Sequence, residues 1–201
     1  MTDEDHRCLA DLLLTNPCHE KTRIERVKGG LLSGSFCWIL ENSEFQRWRE
    51  DKQSQLLWIK GDAGKGKTML MIGVINELLQ QEARLGKSSA AEVLSYFLCQ
   101  GTDSCLNTAT AILRGIIYVL ASQQPFLIPH LRKEYDHACR KLFEDSNAFY
   151  ILSDIFQHMV QDPKLTVAYL IVDALDECEV GLPRLLDLIT LTAPGQSSCI
   201  K

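Results

Sequence analysis

A chain of 201 residues with 46% apolar side chains has the material for one buried core, alone or with an appendage. Its 26 acidic against 21 basic residues leave a net charge of −5, which argues against nucleic acid as a partner, because a phosphate backbone calls for dense Lys/Arg patches. The acidic N-terminus has no apolar stretch to serve as a secretory signal, and no run approaches the roughly 18 apolar residues of a spanning helix, so no membrane role is expected.

In chain order, Cys8, Leu9, Leu12, Leu13 and Leu14 predict a short helix over 8–14, ended by Thr15-Asn16-Pro17 because the residue before a proline is pushed out of the helical region. A charged stretch over 21–28 leads to Gly29-Gly30. Phe36, Trp38, Ile39, Leu40, Phe45 and Trp48 follow on short helical pieces, where the two tryptophans read as packing groups. Residues 1–52 thus form a helical lead segment ahead of a core over 53–201.

The core opens with an apolar strand pattern, Leu56-Leu57-Trp58-Ile59, that runs into Gly61-Asp62-Ala63-Gly64-Lys65-Gly66-Lys67-Thr68 and then an apolar helix from Met69 to Leu79. The spacing Gly61-x-x-x-x-Gly66-Lys67-Thr68 marks a phosphate-binding loop (Walker A). Glycines accept the backbone angles that let successive N–H groups turn inward around an anion. Lys67 would neutralise the β/γ-phosphates, the Thr68 hydroxyl would hold Mg2+, and the helix would point its positive end at the ligand. The expected nucleotide contacts are Gly61, Asp62, Ala63, Gly64, Lys65, Gly66, Lys67, Thr68 and Met69. Such a pattern arises by accident in about one chain in a hundred of this size, and the strand–loop–helix order around it lowers that rate.

A polar connector over 83–91 precedes a second strand over 93–99, nearly continuous in apolar residues as a parallel strand buried on both faces should be. Helices are expected over 108–121, 129–142 and 148–160. A third strand over 165–172 delivers Asp173 at its carboxyl end, where a Mg2+ partner (Walker B) belongs, although an acid in that place can also cap a following helix. Asp176 and Glu177 follow closely and are the candidate catalytic acids. Pro183 suits the first turn of a last helix over 182–191, after which 192–201 is polar with a Pro-Gly turn. The eight cysteines contain no Cys-x-x-Cys pair, and Cys18-His19 and His137-x-Cys139 fall short of the four ligands of a closed zinc site, so a reducing cytoplasmic setting is expected. The expected fold class is α/β, a P-loop NTPase core whose parallel sheet is flanked by helices.

The loop 61–68, the strand Tyr169-Leu-Ile-Val-Asp173 and the following Ala174-Leu-Asp176-Glu177 resemble the NACHT domain of signal-transducing P-loop ATPases. AAA-type relatives place Glu directly after the strand Asp, where this chain has Ala174. The flanks, among them Thr22-x-Ile24-Glu25, Lys28-Gly-Gly-Leu-Leu32, Trp38-Ile-Leu40 and Leu94-Ser-Tyr-Phe97, are similar to fungal NOD-like receptors of the vegetative (heterokaryon) incompatibility type, over about residues 8–192. The resemblance implies a cytoplasmic innate-immunity switch that binds ATP or GTP with Mg2+ and hydrolyses it slowly, with Thr68 and Asp173 on the metal and Glu177 or Asp176 on the attacking water. It places Gly29-Gly30 beside the base. In a full-length receptor the partners would be winged-helix and repeat domains and further copies of the receptor. Neither those domains nor a strand bearing a sensor arginine is visible in these residues, so a fragment is expected. Two other classes stay open: a nucleotide-binding scaffold without useful turnover, and a small-molecule P-loop kinase, which would need a lid with arginines where only Arg114, Arg132 and Arg140 are scattered.

Overall fold

The computed structural model describes residues 1–51, 56–85, 92–192 and 200–201. The lead segment begins with α1 (Asp3–Leu12), which starts five residues earlier than the apolar pattern because Thr2 and Asp5 form a reciprocal capping box at its N-terminus. Asn16 caps α2 (Pro17–Val27), which carries Pro17 in its first turn. That helix ends in a Schellman motif: Gly29 N–H donates to Arg26 C=O (3.1 Å) and Gly30 N–H to Glu25 C=O (2.8 Å), with both glycines at positive φ. Two short helices, α3 (Cys37–Leu40) and α4 (Ser43–Glu50), complete the segment.

Beyond them lie α5 (Lys67–Leu85), β1 (Glu92–Leu98), α6 (Ala109–Gln123), α7 (Ile128–Ala138), α8 (Ala148–Val160), β2 (Val167–Asp173) and α9 (Leu182–Thr192). The helix expected over 129–142 breaks at Cys139, which sits at φ +49°, and continues as a 3-10 turn, Cys139–Phe143. The two strands pair in parallel from Glu92 opposite Val167 to Leu98 opposite Asp173, so both point their carboxyl ends the same way. On the other edge of β2, Ile200 bridges Ala168, Lys201 N–H donates to Ala168 C=O and Leu170 N–H donates to Lys201 C=O, both at 2.8 Å.

The strand expected over 56–59 does not form. The segment pairs with no described strand, and Leu56 and Trp58 stay 56% and 52% exposed. Strand pairing needs a neighbour, and the edge of β2 is met by Ile200 and Lys201 instead. The boundary residues 52–55, residues 86–91 of the connector and 193–199 of the tail lie outside the described residues.

Side chains alternate along β1 with the period of two that a strand imposes. Val93 and Phe97 face a core built with α1, α6, α7, α8 and α9, where the buried Ser95 hydroxyl donates to Ile116 C=O (3.0 Å). Leu94, Tyr96 and Leu98 face a second core with Ile24, Ile39, Phe45, Trp48 and the apolar face of α5. The lead segment therefore contributes to both cores. Buried Arg114 on α6 holds α1 in place, donating to Leu12 C=O (2.6 Å), Asp11 C=O (2.9 Å) and Phe143 C=O (3.3 Å) while lying over the Phe143 ring. Lys201 does the same for α4, with its Nζ 2.8–2.9 Å from the carbonyls of Trp48, Arg49 and Asp51. Gly115 lets α6 approach β1 closely, since a Cβ there would lie 2.7 Å from Phe97 Cε2. No helix among the described residues is long and apolar enough to cross a membrane.

Candidate functional site

Residues 61–66 form an exposed turn in which Gly64 (φ +74°) and Gly66 (φ +80°) adopt left-handed backbone angles. Nothing lies within 4 Å of a Cβ at either position, so the glycines answer a backbone requirement and not a crowded one. Helix α5 starts at once: Leu70 N–H donates to Gly66 C=O (2.9 Å), which leaves the amides of Lys67, Thr68 and Met69 without intrahelical acceptors. Their partial positive charge is the ordinary attraction of a helix N-terminus for an anion. Lys67 is half-buried and turned back onto the turn, its Nζ 2.6 Å from Gly61 C=O and 3.0 Å from Asp62 C=O. Asp62 and Lys65 are exposed, and Met69 packs against the core beneath α5.

Asp173 closes β2 and is 6% exposed. Thr68 and the Ala174 N–H lie near enough to favour its charged form, which sets the end of β2 beside the start of α5. Its Oδ2 is buried and has no partner. Burial pushes this carboxyl above the usual carboxylate value, against the pull of the nearby Thr68 hydroxyl, Ala174 amide and Lys28 charge. Ala174 then takes the left-handed conformation (φ +53°, ψ +45°), an unfavourable one for a residue with a Cβ, and turns the chain sharply away from the strand.

Asp176 is exposed, whereas Glu177 reaches across to the loop after β1, where its Oε2 accepts from Gly101 N–H at 2.8 Å. That loop is further tied down by Asn107, whose side-chain amide donates to Gly101 C=O (3.1 Å) and whose backbone C=O accepts from Glu179 N–H (2.8 Å). Thr68, Lys67 and Asp173 are thus brought together, Asp176 stands at the rim, and Glu177 is held by a neighbouring loop. Gly101 and Asn107 tie down Glu177 without having been singled out by sequence, because each acts through contacts with residues far along the chain. Gly29-Gly30 stop α2, which accounts for both glycines without a ligand.

A partnerless buried carboxylate oxygen beside a threonine hydroxyl suits a hard cation held by few protein oxygens. Mg2+ is such a cation, since it keeps waters and substrate phosphates as its remaining ligands. The described residues contain no cluster of three or more His, Cys, Asp or Glu able to hold a metal unaided. Next to the site runs an apolar cleft of about 590 Å³ between 56–61, β2 and α9, lined by Leu57, Trp58, Leu170, Val172, Leu185 and Ile189 and bordered by Lys67 and Asp173.

The family model described as Nephrocystin 3, N-terminal matches residues 34–201. A curated relative, the vegetative incompatibility protein HET-E-1 of Podospora anserina, is 54% identical over 190 residues, 94% of this chain. The match spans 14% of that relative's length. No solved structure matches the chain.

Proposed function

The chain belongs to the family described as Nephrocystin 3, N-terminal, and on that premise we propose that it is the NACHT-type, nucleotide-binding core of a longer signalling receptor, taking ATP or GTP with Mg2+ and hydrolysing it slowly as a switch. The observation that carries this reading is the buried Asp173, whose Oδ2 lacks a partner and whose carboxyl lies near Thr68 at the foot of a glycine turn. A carboxylate kept so against its desolvation cost is an expense a structural cap does not require. The similarity to a vegetative incompatibility protein supports the signalling context, and the resemblance to NOD-like receptors adds winged-helix and repeat domains and self-association in the cytoplasm to the proposal.

In this reading the amides of 63–68 receive phosphate oxygens. Lys67 leaves the carbonyls of Gly61 and Asp62, which now hold its ammonium, to pair with the β/γ-phosphates. Thr68 and Asp173 are the residues that would hold Mg2+, whose part is to neutralise charge on the phosphates. Asp176 at the rim, or Glu177 through the oxygen not bonded to Gly101, orients the attacking water and accepts its proton. The bond between Glu177 and Gly101 favours a second reading, a nucleotide-binding scaffold with no useful turnover, because a carboxylate held by a loop amide is a poorer base.

Titration with fluorescent ATP and GTP analogues, with and without Mg2+, tests the first claim. Lys67→Ala should weaken triphosphate binding by about 10- to 100-fold, the range of a charge-assisted hydrogen bond. Unchanged affinity in a folded variant sinks the nucleotide reading. Single-turnover hydrolysis then separates switch from scaffold.

A further inference from the structure

We propose that the loop over 100–107 positions the Glu177 carboxylate for hydrolysis, with Gly101 and Asn107 as positioning residues that act through Glu177 and not on the nucleotide. The inference rests on the reading that Glu177 serves the attacking water, and adds to it the element that aims the carboxylate.

The loop starts at the site. Cys99 N–H donates to Asp173 C=O (3.2 Å), so the chain leaves β1 beside the residue that closes β2. The loop then bonds to itself: Asp103 N–H donates to Gln100 C=O (3.1 Å), Leu106 N–H to Asp103 C=O (2.8 Å) and Cys105 N–H to the Asp103 carboxylate (2.9 Å). From α2, the Arg23 guanidinium donates to the Gln100 side-chain oxygen (2.8 Å). None of these bonds involves Glu177, so the loop itself sets where the Gly101 N–H points.

Asn107, only 6% exposed, joins this loop to the segment that carries the acid. Its side-chain amide donates to Gly101 C=O (3.1 Å), and its backbone C=O accepts from Glu179 N–H (2.8 Å). Directly after it, Thr108 bridges Val180 in parallel and Ala109 N–H donates to Val180 C=O (2.8 Å). Glu177 N–H donates to Ala174 C=O (2.9 Å). Both ends of the 2.8 Å bond from Gly101 N–H to Glu177 Oε2 are thereby fixed. A free surface glutamate spreads over its rotamers, whereas a carboxylate held by one oxygen presents the other in a set direction, which a base acting on a bound water requires. The donor is a neutral amide, so it orients the carboxylate and leaves it anionic. A loop that only braces the fold would leave the rate of hydrolysis untouched.

The test uses the full chain and compares wild type, Asn107→Ala, Gly101→Pro and Glu177→Gln, with each of the first two variants also combined with Glu177→Gln. Gly101→Pro deletes the N–H that Glu177 accepts from, at the second position of the turn 100–103, where proline is favoured; φ there is not positive, and a Cβ would meet nothing nearer than Glu177 Cβ at 3.6 Å. Fluorescent ATP titration in Mg2+, single-turnover hydrolysis and ligand-free melts are read for each protein. Asn107→Ala and Gly101→Pro should each slow hydrolysis about 10- to 100-fold with ATP affinity held within about twofold. Neither should slow the Glu177→Gln variant further, because no base is left to aim. Where Asn107→Ala melts lower than wild type, Gly101→Pro decides. A wild-type rate in Gly101→Pro, a faster one, or a slowing that persists in the Glu177→Gln background overturns the proposal. Glu177→Gln hydrolysing at the wild-type rate, or a wild type that does not hydrolyse ATP, removes the reading of Glu177 itself, and this inference with it.

Discussion

Replacing Asp173 with Asn should make the ligand-free protein more stable and the liganded one less so. Asn keeps an oxygen toward Thr68 and the Ala174 N–H, and puts a neutral amide where the charged carboxylate's Oδ2 is buried without a partner. An unsatisfied buried polar group costs about 1–3 kcal/mol and a charged one more. Against this gain stands the lost attraction of Lys28, which outweighs the relieved repulsion from Glu177. The net is about +1 kcal/mol, or about 2–4 °C in melting temperature for a chain of this length. The sign also depends on pH. Folding raises the Asp173 carboxyl above its ordinary 3.8, so the fold is favoured while the group is protonated and loses that contribution as pH rises through the folded value. The advantage of Asn should accordingly be larger at pH 7 than at pH 3.5. With triphosphate and Mg2+ at a hundred times the dissociation constant, wild type should gain about 2.7 kcal/mol, a shift of about 5–10 °C that the variant lacks. Thermal melts with and without Mg2+ and nucleotide read both effects. A variant that melts below wild type without ligand, or that keeps the Mg2+-dependent shift, would refute the reasoning and make Asp173 a structural cap.

Glu177→Gln keeps a carbonyl oxygen for the Gly101 N–H, so melting temperature and nucleotide affinity should hold within a few-fold. Single-turnover hydrolysis should slow about 10²- to 10⁴-fold if Glu177 is the base, and a wild-type rate would assign it to loop tethering alone. Ala174→Gly removes the Cβ penalty of the left-handed turn, partly offset by glycine's entropy, and should raise the melting temperature by about 1–2 °C. A fall would mean that the turn is not strained. Gly115→Ala drives a Cβ against the Phe97 ring and should cost about 1–3 kcal/mol by denaturant titration. An unchanged midpoint would show that α6 does not sit so close to β1.

Local chemistry in the sequence determined several things by itself. The glycine spacing at 64 and 66 and the apolar run after Lys67 specify a left-handed turn followed at once by α5, because backbone freedom and helical periodicity are properties of neighbouring residues. The continuous apolar runs around Val93 and Val167 likewise specify two strands, the first buried on both faces and the second only partly buried. The capping box of Thr2 and Asp5 is local too, and reading it would have placed the start of α1 correctly. Tertiary structure decided the rest. Leu56-Leu57-Trp58-Ile59 carries the pattern of a strand, yet a strand is completed by the chain lying beside it, and the edge of β2 pairs with Ile200 and Lys201 instead. Arg114, one scattered basic residue in the sequence, is buried and capping carbonyls 102 and 103 positions away. Glu177 meets Gly101 across 76 residues, and the Lys28 charge acts on Asp173 from the middle of the lead segment. Local pattern states which backbone a segment can adopt, whereas these pairings depend on how the helices pack against the sheet, which is settled only when the whole chain is compact.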